Sequence, residues 1–181
     1  MGASPEVEVR PATPDDVGYA VAAAELIALL APGNDLALRS VDFLKSKIEA
    51  GQAVVALEGT RLVGFGYWAA WQDGEFISHS GLVVHPDMQG RKLGRALKTA
   101  LAESSRRRFP SAKTLSLTTS PQVKRLNLSL GFRVVPLDQL TTDPEFWRGC
   151  ETCRQFQEIQ ARGEKCCCEG MLLEPDAQPP S

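Results

Sequence analysis

The stretch from Leu82 to Leu97, LVVHPDMQGRKLGRAL, constrains this chain more than any other. Leu82, Val83 and Val84 are apolar and β-prone. Pro86 cannot donate a ladder hydrogen bond, so a strand must stop before it. Gly90 and Gly94 permit close backbone approach or unusual dihedrals. From Leu93 onward, Leu93, Ala96, Leu97, Ala100 and Leu101 recur at helical spacing. A strand, a tight loop and a helix in this order leave backbone N–H groups pointing at one spot, with the positive end of the helix dipole behind them. That spot suits a pyrophosphate, and Arg91, Lys92 and Arg95 add positive charge. Taken alone, the glycines also fit an ordinary β–α connection.

The flanking sequence supplies the context. Residues 6–10 alternate polar and apolar and read as an early strand. Thr13-Pro14-Asp15-Asp16 signals a helix start, with Thr13 as N-cap and Pro14 in the first turn. Val17, Val21, Ala24 and Ala28 form its apolar stripe, and Pro32-Gly33-Asn34 ends it. A second helix carries Ala37, Val41, Leu44 and Ile48 on one face and closes at Gly51. Residues 52–57 and 61–71 read as a hairpin turning at Glu58-Gly59-Thr60, and residues 76–84 as the next strand. The helix that follows should run to Arg108. Arg106-Arg107-Arg108 is then favourable charge at a helix C-terminus. Residues 114–119 are a fifth strand, 121–130 a short helix ending in Gly131-Phe132, and 133–136 the start of a sixth strand.

Size bounds the answer further. A chain of 181 residues is most simply one α/β domain with a small appendage. A net charge of −2 gives no general reason to expect nucleic acid or an anionic membrane. No apolar run approaches the length of a membrane span, and the first six residues lack the plan of a signal peptide, so a cytoplasmic location is expected. All five cysteines lie beyond residue 149, and in a reducing compartment they read as metal ligands rather than disulfides. Cys150 and Cys153 form a C-x2-C pair, and Cys166 and Cys168 frame Cys167. Four thiolates make a closed tetrahedral zinc site, and soft sulfur also suits iron–sulfur clusters or Cu(I). In an extended segment Cys166 and Cys168 share one side, which leaves Cys167 facing away as the spare. A helix over residues 151–162 would be stapled to a final strand by the metal, and the proline-rich residues 174–181 should fray.

The segment Gln89-Gly90-Arg91-Lys92-Leu93-Gly94, following Val84-His85-Pro86, resembles motif A of the GNAT family of acetyl-CoA-dependent N-acetyltransferases. The order of elements over residues 6–138 resembles that family too. The tail, Phe146-Trp147-Arg148-Gly149-Cys150 through Cys168 and Met171-Leu172, resembles a bacterial subgroup with a C-terminal cysteine cluster. The resemblance implies a GNAT fold: a mixed, twisted central sheet flanked by helices, with a small cysteine-rich C-terminal appendage. It implies an acetyltransferase domain over residues 1–140 and a metal-binding extension over 141–181 packed on it.

The implied activity is transfer of acetyl from acetyl-CoA to a primary amine. Cofactor contacts fall on Leu82, Val83, Val84, Gln89, Gly90, Arg91, Lys92, Leu93, Gly94, Arg95, Ser120 and Asn127. Lys92 stands where the family usually has its first motif glycine. Asn127 stands where many members have a tyrosine that protonates the departing thiolate, a proton an amide cannot supply. The base is open. Ser80 and Gly81 occupy the usual carboxylate position, so Glu75 and His79 are the catalytic candidates beside Asn127. His85 is taken as structural, and Trp68 and Trp71 can line an acceptor pocket or simply pack. Cys150, Cys153, Cys166 and Cys168 would hold a structural Zn2+. Expected partners are acetyl-CoA and an amine-bearing acceptor, without nucleic acid or membrane, and a homodimer is compatible. Two alternatives stay open: a non-catalytic CoA-binding sensor, and a metal-dependent interaction module.

Overall fold

In the computed structural model, residues 6–34, 36–164 and 166–177 are described; the chain end expected to fray therefore lies partly outside the described residues. Strand β1 (Val7–Pro11) leads into a 3-10 helix, Pro14–Tyr19. Asp16 anchors this start. Its carboxylate accepts both guanidinium N–H groups of Arg10, at 2.7 and 2.9 Å, and the Thr13 backbone N–H at 2.7 Å. Helix α1 (Ala20–Asn34) follows directly and carries Pro32 in its last turn. Its buried face is Ala20, Ala23, Leu26 and Ile27, while Val21 is half exposed. The stripe read from Val17 is out of phase because the first six residues wind at three per turn rather than 3.6. Residues 14–33 are also long and apolar enough to cross a membrane by length and composition, with mean hydropathy 1.4, which the sequence reading did not anticipate. Helix α2 (Val41–Glu49) begins at its cap Ser40, whose Oγ accepts from the Phe43 N–H, so Ala37 lies outside it.

Strands β2 (Ala53–Glu58), β3 (Arg61–Trp71) and β4 (Phe76–Val84) continue β1 as an antiparallel meander. β2 is buried on both faces, which explains its unbroken apolar run. Val55 and Leu57 pack under α1 and α2, whereas Val54 and Ala56 pack under helix α3 (Leu93–Arg108). α3 lies close on β3 because Gly64 and Gly66 have no side chains. A Cβ on them would meet the Leu97 and Leu101 methyls at 2.9 and 3.0 Å. Leu97 and Leu101 are fully buried there, each worth about 1.5–3 kcal/mol relative to exposure.

The sheet then changes character. Strand β5 (Lys113–Thr118) runs parallel to β4 but pairs with it only from Phe76↔Lys113 to Ser78↔Leu115. Helix α4 (Pro121–Ser129) leads to strand β6 (Arg133–Val135). The chain beyond residue 140 forms the short helices α5 (Pro144–Arg148) and α6 (Phe156–Ala161), separated by a 3-10 turn, Gly149–Thr152. The single helix expected over residues 151–162 is therefore broken. Strand β7 (Glu169–Leu173) inserts between β5 and β6, antiparallel to both, giving the order β1-β2-β3-β4-β5-β7-β6. The division expected at residue 140 does not divide the sheet, because β7 supplies the ladder that joins β6 to the rest.

Candidate active site

Two features of β4 open a cleft. After Ser78 it parts from β5, leaving a gap between the strands. Within it, pairing to β3 slips: Val83 faces Phe65 while Ser80 faces Tyr67, so Gly81 and Leu82 stand opposite Gly66 alone. This is a β-bulge, which redirects local backbone groups away from the regular ladder. Gly81 has φ +60, and a Cβ there would meet the Tyr67 ring at 2.6 Å.

The cleft has a volume of about 750 Å³ and is lined by residues 79–84 of β4, by 116–120 at the end of β5, and by the loop into α3. Leu82, Val83, Val84, Gln89, Gly90, Lys92, Leu93, Gly94, Arg95 and Ser120 all line it. Arg91 is exposed and does not. Pro86–Met88 forms a 3-10 turn in the loop, capped by His85, whose Nδ1 accepts from the Asp87 N–H at 3.2 Å. His85 is thus a structural cap. Lys92 caps α3 with φ 60, ψ 19, a left-handed conformation that glycine adopts without strain and lysine does not. The cap geometry gives a physical reason for a glycine preference at this position.

Charge in the cleft has one sign. Lys92, Arg95 and Lys98 line it, the N-termini of α3 and α4 border it, and no carboxylate lines it among the described residues. Helix N-termini add positive partial charge. An anion is the ligand this electrostatic field favours.

The catalytic candidates separate. Glu75 sits exposed at the start of β4, away from the cleft, where its carbonyl accepts the Lys113 N–H. It lines neither cavity, because β4 and β5 stay paired for three residues past it before the gap opens. Asn127 is fully buried and lines neither cavity. Its Nδ2 donates to Ser116 Oγ at 3.1 Å and approaches Met171 Sδ at 3.5 Å, which turns it into the core. His79 lines the cleft's inner end. Neither ring nitrogen has a hydrogen-bond partner among the described residues, and burial, with the Lys98 and Arg106 charges, keeps the ring neutral well below its usual pKa. Lys98 was not singled out by sequence reasoning, yet it lies fully buried in the cleft wall.

A second cavity of about 240 Å³ adjoins the first at Leu36, His79, Ser80, Gly81, Leu117 and Cys168. Trp71 lines it and donates to Ser78 Oγ at 2.8 Å. Trp68 instead is core, donating to Ser104 Oγ at 3.0 Å. Cys150, Cys153, Cys166 and Cys168 all line this cavity. Thiol hydrogen bonds from Cys150 and Cys168 hold the Cys166 sulfur well below the usual thiol pKa, and the same bonds push Cys150 and Cys168 up. The Cys168 N–H also reaches Cys166 Sγ at 3.4 Å. Cys167 does not point away as expected. The chain bends here instead of extending, and the sulfurs of Cys166, Cys167 and Cys168 lie within 4.8 Å of one another.

The profile of the acetyltransferase (GNAT) domain family matches residues 37–143, more than half of the chain. This chain belongs to the GNAT acetyltransferases, enzymes that use acetyl-CoA. Among solved structures it is similar to N-acetylglutamate synthase from Neisseria gonorrhoeae, complexed with coenzyme A and N-acetyl-glutamate. That match has a TM-score of 0.67 and 19% identity over 96% of this chain and 36% of the synthase, so this chain spans about a third of that protein. Rv2747 from Mycobacterium tuberculosis, in complex with CoA and NLQ, gives 0.65 at 18% identity over 92% of this chain and 98% of its own. The putative acetyltransferase yncA from Salmonella typhimurium, with acetyl-CoA, gives 0.63 at 22% identity over 97% and 98%. No curated protein sequence matches the chain.

Proposed function

We propose that the chain transfers the acetyl group of acetyl-CoA to a primary amine, with the cofactor in the cleft between β4 and β5. The observation that carries this reading is the cleft's one-sided charge. Lys92, Arg95 and Lys98 line a cavity of about 750 Å³ that no carboxylate lines among the described residues, and two helix N-termini border it. The pyrophosphate belongs at residues 89–95, where loop N–H groups and the α3 dipole converge. The pantetheine arm then runs along Leu82–Val84, past the bulge, and its thioester reaches the inner end at Gly81. The acceptor enters through the smaller cavity, which meets the cleft at that point. The gonococcal synthase carries N-acetyl-glutamate beside coenzyme A, which makes amino acids the first acceptors to try. Gly94→Glu puts a carboxylate beside the pyrophosphate, where only Leu126 is near, at 3.7 Å. CoA affinity by calorimetry should fall at least 10-fold, about 1.4 kcal/mol. Wild-type affinity in a folded variant would overturn the assignment. A CoA-binding sensor is the second reading, favoured by Asn127 facing the core. CoA binding without acetyl-CoA turnover on any amino acid or polyamine would select it.

We also read Cys150, Cys153, Cys166 and Cys168 as ligands of one structural zinc ion. All four line one small cavity, and hydrogen bonds link the Cys166 sulfur to those of Cys150 and Cys168. Four soft thiolates are the donor set of a closed zinc site. Such an ion would tie α5 and α6 to the start of β7. A reducing compartment such as the cytoplasm keeps these thiols available.

A further inference from the structure

The least expected group in the cleft is Lys98. It is 2% exposed, and its Nζ has no hydrogen-bond partner among the described residues. The nitrogen sits 4.8 Å from the centre of the Phe132 ring, a cation–π distance. A buried ammonium without a counterion costs several kcal/mol unless it is neutral or meets an anion in use. Burial lowers its pKa to about 7, so it exchanges a proton near neutrality. The titratable and charged groups on the elements around it are few. β4 contributes His79, kept neutral, and α3 itself contributes Arg95 and Arg106. β5 contributes the hydroxyl of Ser116, and the segment before β7 contributes Cys168. None is a carboxylate.

His79 and Ser116 follow the last paired residues at the inner end of the cleft, and Lys98, whose charge acts on His79, lines the same cleft. The reading above puts the thioester there, and the step that follows rests on that reading. The residue at the tyrosine position, Asn127, is turned into the core and cannot act as an acid. We propose that Lys98 protonates the sulfur of CoA as it leaves. The acceptor nitrogen's lone pair forms the N–C bond, and the C–S bonding pair leaves with sulfur. Sulfur takes a proton from Nζ, giving CoA thiol and a neutral lysine amine. The acceptor nitrogen releases its extra proton to water, and Lys98 regains one from water. One proton has then moved from acceptor to sulfur.

Lys98→Met tests this without disturbing shape, and since it removes an unpaired buried cation the variant should melt no lower than wild type. CoA and desulfo-CoA are bound to both proteins, and thiolate ultraviolet absorbance is followed as pH rises, with the desulfo-CoA complex subtracted to remove the cysteines. An ammonium beside sulfur lowers the thiol pKa, typically by 1–3 units for a charge within about 4–6 Å. The bound thiolate should therefore begin to appear at lower pH in wild type than in Lys98→Met. Turnover of acetyl-CoA should fall about 100-fold in the variant, the lower end for loss of a general acid, and the alkaline limb of the wild-type pH profile should vanish. Coincident thiol titrations, or stable acetylation of Lys98 after incubation with acetyl-CoA, would overturn the role. CoA binding retained in both proteins would leave the cofactor assignment standing in that case, whereas failure of CoA to bind wild type would remove both.

Discussion

Gly81→Ala probes the device that makes the cleft. Gly81 has φ +60, where an L-residue costs about 1–2 kcal/mol. Its new Cβ would sit 2.6 Å from Tyr67 Cε1 and 3.0 Å from Cδ1. Tyr67 cannot simply swing aside: it is 3% exposed, its hydroxyl accepts from Arg39 Nε at 2.8 Å, and Phe43 packs edge-on against its ring at 5.4 Å. Overpacking of this kind costs about 1–3 kcal/mol. The stiffer unfolded chain returns about 0.4–1 kcal/mol. The expected net loss is about 2–4 kcal/mol, roughly 4–16 °C in Tm for a chain of this size. Gly90→Ala is the control. It has φ +81 but nothing within 4 Å of a new Cβ, so it should lose only about 1 kcal/mol. Urea unfolding of wild type and both variants measures the difference. A loss for Gly81→Ala no larger than that for Gly90→Ala would refute the claim that the bulge is locked by Tyr67. Because Arg39 also reaches the Gly149 carbonyl at 3.2 Å, the same variant should loosen the cysteine segment.

Elemental analysis of protein purified without chelators should find one zinc per chain; Cys153→Ser should lose it and Cys167→Ser should keep it. Metal-free wild type would refute the site, and loss in Cys167→Ser would move a ligand to the Cys166–Cys168 bend. Asp16→Asn should cost about 2–3 kcal/mol, toward the low end for breaking a buried pair because the Arg10 side chain is 31% exposed. The Arg10 hydrogen bonds hold the Asp16 carboxyl well below the usual carboxylate range. Its stabilisation is therefore present above the unfolded value near pH 4 and lost as pH falls below it. Chemical denaturation between pH 6 and 2 should show a shallower acid loss in Asp16→Asn, and parallel curves would refute the linkage.

Local chemistry was readable in the sequence. β3 and β4 carry the boundaries read from their turn residues, and α3 runs from Leu93 to Arg108 as its apolar spacing requires. Nearly every loop residue proposed for the anion lines the cleft. What was not readable is non-local. The gap between β4 and β5 depends on where two distant strands stop pairing, and no residue near Ser78 announces it. The insertion of β7 between β5 and β6 depends on ladders closed across more than thirty intervening residues, so residues 141–181 read as an appendage. The cluster at Cys166–Cys168 was read as extended because alternation assumes a strand, and the strand starts only at Glu169.

Lys98 is the instructive omission. A lysine after Leu97 reads as a solvated position on a helix, since charged residues are rarely buried alone. Its own row says otherwise. Gly94, Lys98, Leu101 and Ser105 follow one another at spacings of four, three and four, and that row holds no other charge. Leu101 and Ser105 are buried with it, while Arg106, Arg107 and Arg108 put the helix's charge into its last turn. α3 therefore buries two adjacent ridges, one apolar against β3 and one that carries a single cation into the cleft wall. A cation placed there by packing, with no carboxylate lining the cleft among the described residues, keeps its field for whatever enters, and under the proposed placement of acetyl-CoA the anion that chemistry creates at that depth is the sulfur of CoA.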